Sequence, residues 1–183
     1  MEHSFIDLSH KRESVRQYLA RPVEKEKIER CLEAARLAPS ACNSQPWKFI
    51  IIDDWELKDS IAAQTTGSIL PLNHFTRQVP VLAVLVMEQP NIPSRIGSKI
   101  KDKHFPLIDI GIAAEHFCLQ AAEEGLGTCM IGWFNESRVC RLLKIPASSR
   151  PVLIIALGYP SEPDGKPKKR KPLEEISSWN KFS

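Results

Sequence analysis

The chain has 183 residues, of which 43% are hydrophobic and 26% are charged, a composition that can build one buried core and is not that of a disordered protein. Its formal net charge of +3 comes from a basic tail, because residues 166–183 contain six Lys or Arg and two Asp or Glu. No apolar run is long enough to cross a bilayer, and the N-terminus lacks a signal-peptide pattern. We therefore expect a cytoplasmic protein with no nucleic-acid partner and no membrane partner.

The five cysteines are odd in number and widely spaced along the chain. No pair has the spacing of a metal site or of a redox motif, and the histidines do not cluster with them. The sequence therefore predicts no metal site, and it predicts thiols that stay reduced in a reducing compartment.

Several segments have the period of a helix or the composition of a strand. In chain order they predict a helix over 24–37, strands over 47–52 and 79–87, a helix over 105–124, a strand over 128–131, a helix over 135–143 and a strand over 150–159. In the first helix, Glu26 and Arg30 are spaced to form an ion pair. Residues 161–183 form a basic, Pro-rich end rather than a second unit, so we expect a single α+β domain over residues 1–183.

The helix predicted over 105–124 is apolar on most of its surface. Leu107 and Ala114 lie on one apolar stripe, and Ile108 and Ile112 widen it. A helix that is apolar on most sides must be buried on most sides. We therefore expect it in the core or between two subunits, with Ala114 at the subunit contact.

Two basic clusters stand at opposite ends of the chain. The first is the run RESVR at residues 12–16, where an extended backbone directs Arg12, Ser14 and Arg16 to one side. Two guanidinium groups and a hydroxyl suit a phosphate monoester. The second is KKRK at residues 168–171. Each run taken alone is also typical of a solvated loop or tail, and a basic tail is an alternative site for nucleic acid.

A polar loop, PSACNSQPW at residues 39–47, joins the first helix to the first strand. The amides of Asn43 and Gln45 are suited to read the edge of a heterocycle, and Pro39 and Pro46 stiffen the chain around them. The same composition is also typical of a capped connecting loop.

Further short motifs follow these segments in a fixed order. They are DIG at 109–111, GLG at 125–127, IG at 131–132, ALGYP at 156–160 and the basic run that includes Arg170. Each motif is weak, but the whole set, spread over residues 5–172, resembles the nitroreductase family of flavoproteins.

The resemblance implies a nitroreductase-like α+β fold, with a central, mostly antiparallel sheet flanked by helices, in an interlocked homodimer. It implies one FMN per subunit at the dimer interface. By position, the expected cofactor-binding residues are Arg12, Glu13, Ser14, Arg16, Pro39, Ser40, Ala41, Asn43, Ile131, Gly132, Lys168 and Arg170. Residues 39–43 would come from the partner subunit, and the two basic runs would meet at the FMN phosphate. Asn73 is a further candidate for a contact with the flavin ring.

The implied function is that of an FMN-dependent oxidoreductase, which passes electrons from NAD(P)H to a small-molecule electron acceptor by a ping-pong mechanism. The chemistry belongs to the flavin, so no residue is expected to act as a catalytic acid or base. Ile131 stands where many members with nitroarene activity carry an acidic residue, and Trp133 follows, so an apolar floor and a changed acceptor preference are expected. The alternatives on the same scaffold are a reductive dehalogenase and a non-catalytic flavin-binding or storage protein.

Overall fold

The computed structural model describes residues 4–66, 72–162 and 168–182. Its helices are α1 (Phe5–Lys11), α2 (Lys25–Arg36), α3 (Trp55–Ala62), α4 (Ile92–Lys101), α5 (Phe105–Glu123), α6 (Glu136–Leu143) and α7 (Leu173–Ile176), and its strands are β1 (Trp47–Ile52), β2 (Val81–Met87), β3 (Gly127–Ile131) and β4 (Arg150–Gly158). Two 3₁₀ helices cover Ala41–Asn43 and His74–Arg77. Part of the predicted basic, Pro-rich segment, residues 163–167, lies outside the described residues.

The four strands form one antiparallel sheet in the order β1-β2-β4-β3. A hydrophobic core lies on each face of the sheet. In the interior strand β2 successive side chains alternate between them, so that Val81 and Leu85 belong to one core and Leu82 and Val86 to the other. Both faces of this strand are covered, so both sets of side chains are apolar. This is why the sequence reads as one continuous apolar run there.

Helices cover the two faces of the sheet. Ile28 of α2 and Ile110 of α5 belong to the core on one face, and Ile61 of α3 and Val139 of α6 belong to the core on the other. The predicted α+β fold with a flanked antiparallel sheet is therefore confirmed. Among the described residues, no helix is both long and apolar enough to span a membrane.

Helix α5 has one face covered by its own chain and one face open. Ala114 and Phe117 are fully buried in the chain's own core, so the expectation that Ala114 lies at a subunit contact is wrong. Leu107 and Ile108 are 46% and 55% exposed and belong to the open face. The sequence could not show which apolar residues of α5 face the core and which stay exposed. The packing of α5 on the sheet decides this.

The predicted elements are all present, and none of their ends is displaced by more than two residues. Helices α1, α3, α4 and α7 were not predicted. A signal for α1 was present, since Ser4 and Asp7 form a capping box at its start.

The ion pair predicted inside α2 is wrong, because Arg30 instead binds Glu124 after α5, with Nη2 2.7 Å from Oε2. This pair joins the two helices on the same face of the sheet.

Candidate functional site

The N-terminal basic run follows α1 as an extended segment beside β3. Ser14 forms a parallel bridge with Thr128, and the Val15 N–H donates to the Thr128 carbonyl at 2.9 Å. Gly127 permits this approach, because a Cβ atom there would lie 2.6 Å from Val15 Cγ2. Val15 is buried, whereas Ser14 and Arg16 are exposed. The backbone therefore separates a buried side from an exposed polar side, as the sequence predicts.

Lys168 brings the C-terminal basic run to the same place. Its ammonium group donates to the carbonyl of Ser9 at 2.6 Å and to the carbonyl of Arg12. These carbonyls lie at and just beyond the end of α1, where backbone acceptors are free and a cation is favourable. Residues 156 positions apart in sequence are thus in direct contact.

Arg12, Lys168 and Arg170 form what we name the cationic cluster. The Nε atom of Arg12 lies 3.4 Å from Glu115 Oε1, but it is buried and makes no hydrogen bond to the described residues. The pKa of Lys168 is lowered from its ordinary value, first by burial and then by repulsion from Arg12 and Arg170, while Glu13 and Glu115 act in the opposite direction. Crowded cations, one of which has a guanidinium donor without a hydrogen bond, are suited to bind an anion.

The loop after α2, residues 40–45, has a left-handed backbone at several positions, and we name it the left-handed loop. Cys42, Asn43 and Gln45 have φ values of 52°, 50° and 44°. The Gln45 N–H donates to Ser40 Oγ at 2.9 Å, and Gln45 Nε2 donates to Asn43 Oδ1 at 3.0 Å. The two amides that the sequence offered to a heterocycle therefore bind each other in this structure.

Two side chains outside the left-handed loop also bind it. The Ala41 N–H donates to Oδ1 of Asp109 on α5 at 3.1 Å. Asn91, just before α4, donates from Nδ2 to the Cys42 carbonyl at 3.0 Å and from its N–H to Ser44 Oγ at 2.9 Å. Neither residue was predicted to have this role. The DIG motif contained Asp109, but nothing in the sequence pointed to Asn91.

At the end of β3 the structure places Ile131, Gly132 and Trp133. The Ile131 side chain is 3% exposed and packs in a core cluster, whereas Trp133 is 70% exposed. The exposed apolar surface expected here is therefore supplied by Trp133 and not by the Ile131 side chain. Gly132 is exposed, and a Cβ atom there would meet nothing within 4 Å.

The segment that contains the further candidate Asn73 is fixed by groups that the sequence analysis missed. Lys58 is fully buried, donates to the Arg77 carbonyl at 2.9 Å and lies 3.9 Å from the ring centre of Trp55. The Asn73 side chain donates to the Thr65 carbonyl at 3.2 Å. No local pattern marks a lysine as buried, because its acceptor comes from a different element.

The structure thus brings Arg12 and Lys168 together and places Ser14 and Arg16 on the adjoining exposed strand. The described side-chain contacts of the left-handed loop to other elements run to α5 and to the start of α4, and not to the cationic cluster of the same chain. The meeting of loop and cluster across a subunit interface stays a prediction.

The fold and the cluster define an α+β protein in which cationic side chains from both ends of the chain meet beside the edge strand β3. The sequence profile of the Nitroreductase family matches residues 10–159, and the chain belongs to this family. It is 31% identical to a nitroreductase family protein from Clostridium novyi NT, with a TM-score of 0.76 and 87% of each chain covered.

Two further relatives cover most of the chain. One is an FMN-dependent nitroreductase from Clostridium difficile R20291, which is 28% identical with a TM-score of 0.77, over 97% of this chain and 100% of that one. The other is an oxygen-insensitive NADPH nitroreductase from Helicobacter pylori J99, which is 26% identical over 83% of this chain and 84% of its own length. The family expected from the sequence motifs is therefore confirmed.

Proposed function

We propose that the protein is a cytoplasmic FMN-dependent oxidoreductase that passes electrons from NAD(P)H to a small organic acceptor such as a quinone or a nitroaromatic compound. The observation that carries the proposal is the contact between the two basic runs. Beside it, Arg12 Nε is buried and makes no hydrogen bond to the described residues, although it lies 3.4 Å from Glu115 Oε1. Membership of the nitroreductase family supports it, as does the FMN dependence and the NADPH dependence in the names of the two relatives.

The cationic cluster fits the phosphate group of FMN. Arg12 and Arg170 would donate to its oxygens, and the exposed Ser14 hydroxyl and Arg16 would add donors from the same side of the backbone. Lys168 already gives two hydrogen bonds to carbonyls, so its main role would be to join the C-terminal segment to α1 while adding charge. A bound dianion would also relieve the repulsion that lowers the pKa of Lys168.

When bound, FMN would supply the two-electron transfer chemistry at its ring. The residues of the protein would bind and orient it: Ser40, Ala41 and Asn43 of the second subunit would contact the ring, and Trp133 would narrow the space open to donor and acceptor. A single narrow space would exclude water and would hold NAD(P)H and the acceptor in turn.

We also propose that the active form is a homodimer. A groove of about 690 Å³ lies between α1 and α5, and it is lined mostly by apolar atoms of residues such as Phe5, Ile108 and Leu119. The C-terminal segment carries further apolar side chains on its surface, with Trp179 and Phe182 90% and 100% exposed. Exposed apolar surface of this extent is typical of a protein–protein interface.

Purified protein tests the function. We expect a yellow protein whose extracted flavin is FMN and which oxidises NAD(P)H steadily when a quinone is added. If donor and acceptor bind in one space, the double-reciprocal plots are parallel. Intersecting lines would contradict the shared space. A yellow protein without turnover on quinones or nitroaromatics would indicate flavin storage, and a colourless protein that binds no added FMN would overturn the proposal.

A further inference from the structure

The left-handed loop holds an unfavourable backbone conformation at three residues that carry side chains. Cys42, Asn43 and Gln45 all have φ between 44° and 52°. In this region the Cβ atom of an L-residue approaches the following carbonyl oxygen, so residues such as Cys42 and Gln45 adopt it rarely, whereas Asn adopts it more often. A cluster of them persists only where the surroundings fix the backbone, and such clusters are typical of ligand-binding segments.

Asp109 is one of the groups that fix this backbone. Its carboxylate is 3% exposed, and Oδ1 accepts the Ala41 N–H at 3.1 Å. Its second oxygen, Oδ2, is also buried and has no hydrogen-bond partner among the described residues. A buried carboxylate with one unsatisfied oxygen is unfavourable for stability. The stability of the fold therefore does not explain why an aspartate stands on the buried side of α5 at this point.

The position of the hydrogen bond between Ala41 and Asp109 explains the presence of this aspartate better than stability does. Ala41 begins the 3₁₀ turn Ala41–Asn43, so the Asp109 bond fixes the point where the left-handed stretch starts. Asn91 holds the middle and the end of the same stretch through Cys42 and Ser44. The loop is therefore held at one end by α5 and further along by the segment before α4.

We propose that Asp109 is a positioning residue that keeps the left-handed loop in its binding shape before the flavin arrives, so that Ser40, Ala41 and Asn43 need no ordering when the ring binds. This inference rests on the proposed function. Since α5 also carries the open apolar face, the same helix would set both the loop and the subunit contact. An ordered loop raises affinity because the entropy of ordering is not lost during binding.

The test compares two substitutions of one residue. Asp109→Leu keeps the approximate size of the side chain and removes the acceptor, whereas Asp109→Asn keeps an oxygen that can accept the Ala41 N–H. Each full-length variant is prepared without flavin, and hydrogen exchange of the backbone amides of residues 41–45 is measured. Binding of FMN and of riboflavin is then titrated. Phe117→Leu is the matched control, because it removes buried volume from the same helix away from the loop.

We expect Asp109→Leu to speed exchange in the loop and to weaken FMN and riboflavin binding by the same factor. That factor is about tenfold or more, since ordering each side chain during binding reduces affinity by roughly 2- to 10-fold. Asp109→Asn should restore both properties to near the wild-type values. Phe117→Leu should lower the melting temperature without changing either property of the loop.

The outcomes separate this inference from the proposed function. If the wild type binds flavin and Asp109→Leu exchanges and binds like it, the inference is overturned and the function stands. If Asp109→Leu affects FMN but not riboflavin, the inference is also overturned, since the loop is assigned to the ring. If the wild type binds neither flavin, both fail. Asp109→Ser, whose hydroxyl is too short to reach Ala41, carries the same expectations should Asp109→Leu not fold.

Discussion

The cationic cluster and the left-handed loop are built in opposite ways. The cluster consists of long side chains: Arg170 is exposed, the cations are crowded, and Arg12 Nε lies near Glu115 but makes no hydrogen bond to the described residues. The loop consists of short side chains and backbone groups that are closely bonded to one another, to Asp109 and to Asn91. The cluster therefore has an excess of positive charge that an anionic ligand can balance, whereas the loop already has the shape that a ligand needs.

This difference predicts how each region recognises a flavin. Charge-assisted hydrogen bonds to a phosphate distinguish FMN from riboflavin, because riboflavin has no phosphate. A shaped loop against the ring treats the two flavins alike. Variants of the two regions should therefore differ in selectivity more clearly than in the total loss of affinity.

The largest effect is expected when the proposed dimer is disrupted, because the cationic cluster of one subunit is then separated from the left-handed loop of the other. Ile108→Arg places an unpaired charge on the open face of α5, twice in a symmetric dimer. A buried, uncompensated charge costs about 3–5 kcal/mol, so the variant should be a monomer that loses its flavin. Size-exclusion chromatography with light scattering and flavin absorbance measures both properties.

Leu142→Arg is the control for this variant, because Leu142 is 39% exposed on α6, which packs on the opposite face of the sheet. It should stay dimeric and yellow. A monomeric Ile108→Arg protein with the FMN affinity of the wild type would show that cluster and loop do not depend on a second subunit.

The next effect concerns the phosphate. Arg12→Ala should weaken FMN binding about 10- to 150-fold, because a hydrogen bond to a charged group contributes about 1.5–3 kcal/mol. Riboflavin binding should stay within about twofold, since it lacks the charged partner. Arg170→Ala should have the same selectivity. Titration of the flavin-free protein with both ligands measures it.

Arg36→Ala is the matched control for the arginine variants, since Arg36 is exposed and paired with Glu33 at the end of α2. It should leave both affinities unchanged. Equal losses of FMN and riboflavin affinity in Arg12→Ala would remove the distinction between the cluster and the loop.

A smaller effect is expected in the loop itself. Cys42→Gly relieves a left-handed residue but increases backbone entropy, and these two terms of about 1 kcal/mol each nearly cancel in the free energy of unfolding. The more flexible loop should weaken the binding of FMN and of riboflavin alike, by about 2- to 5-fold. Chemical denaturation measures the free energy of unfolding, and flavin titration measures the two affinities. A loss confined to FMN would assign the loop to the phosphate instead.

The smallest effect is a difference in thiol reactivity. Burial raises the pKa of the Cys31 thiol to about 12 and raises that of Cys129, whereas Cys42 is exposed in the left-handed loop. A thiol reagent at pH 8 should therefore modify Cys42 well before the buried thiols. Bound FMN should slow that reaction, as peptide mass spectrometry can measure. An unchanged rate for Cys42 with and without FMN would place the loop away from the flavin.

Part of the candidate site could be predicted from the sequence, because that part depends on residue type and order. The composition of the run at 12–16 suits a phosphate, the run at 168–171 is strongly basic, and the order of the short motifs identified the family. The contact between the two runs could not be predicted, because Lys168 binds the backbone carbonyls of Ser9 and Arg12. Every residue has a backbone carbonyl, so no sequence pattern marks these two. The role of Asp109 was hidden for the same reason, since its donor is the backbone N–H of Ala41.

The sequence alone determined the four strands and the helices α2, α5 and α6, because the period of apolar residues records which side chains are buried and is a local property. It did not determine what buries them. Ala114 and Ile108 are both apolar and lie on the same helix, yet Ala114 faces the chain's own core and Ile108 remains open. The tertiary structure alone decided this, because the side of α5 that meets the sheet depends on the packing of distant segments. The left-handed loop was decided in the same way, since bonds from α5 and from the segment before α4 hold a backbone shape that the local residues do not favour.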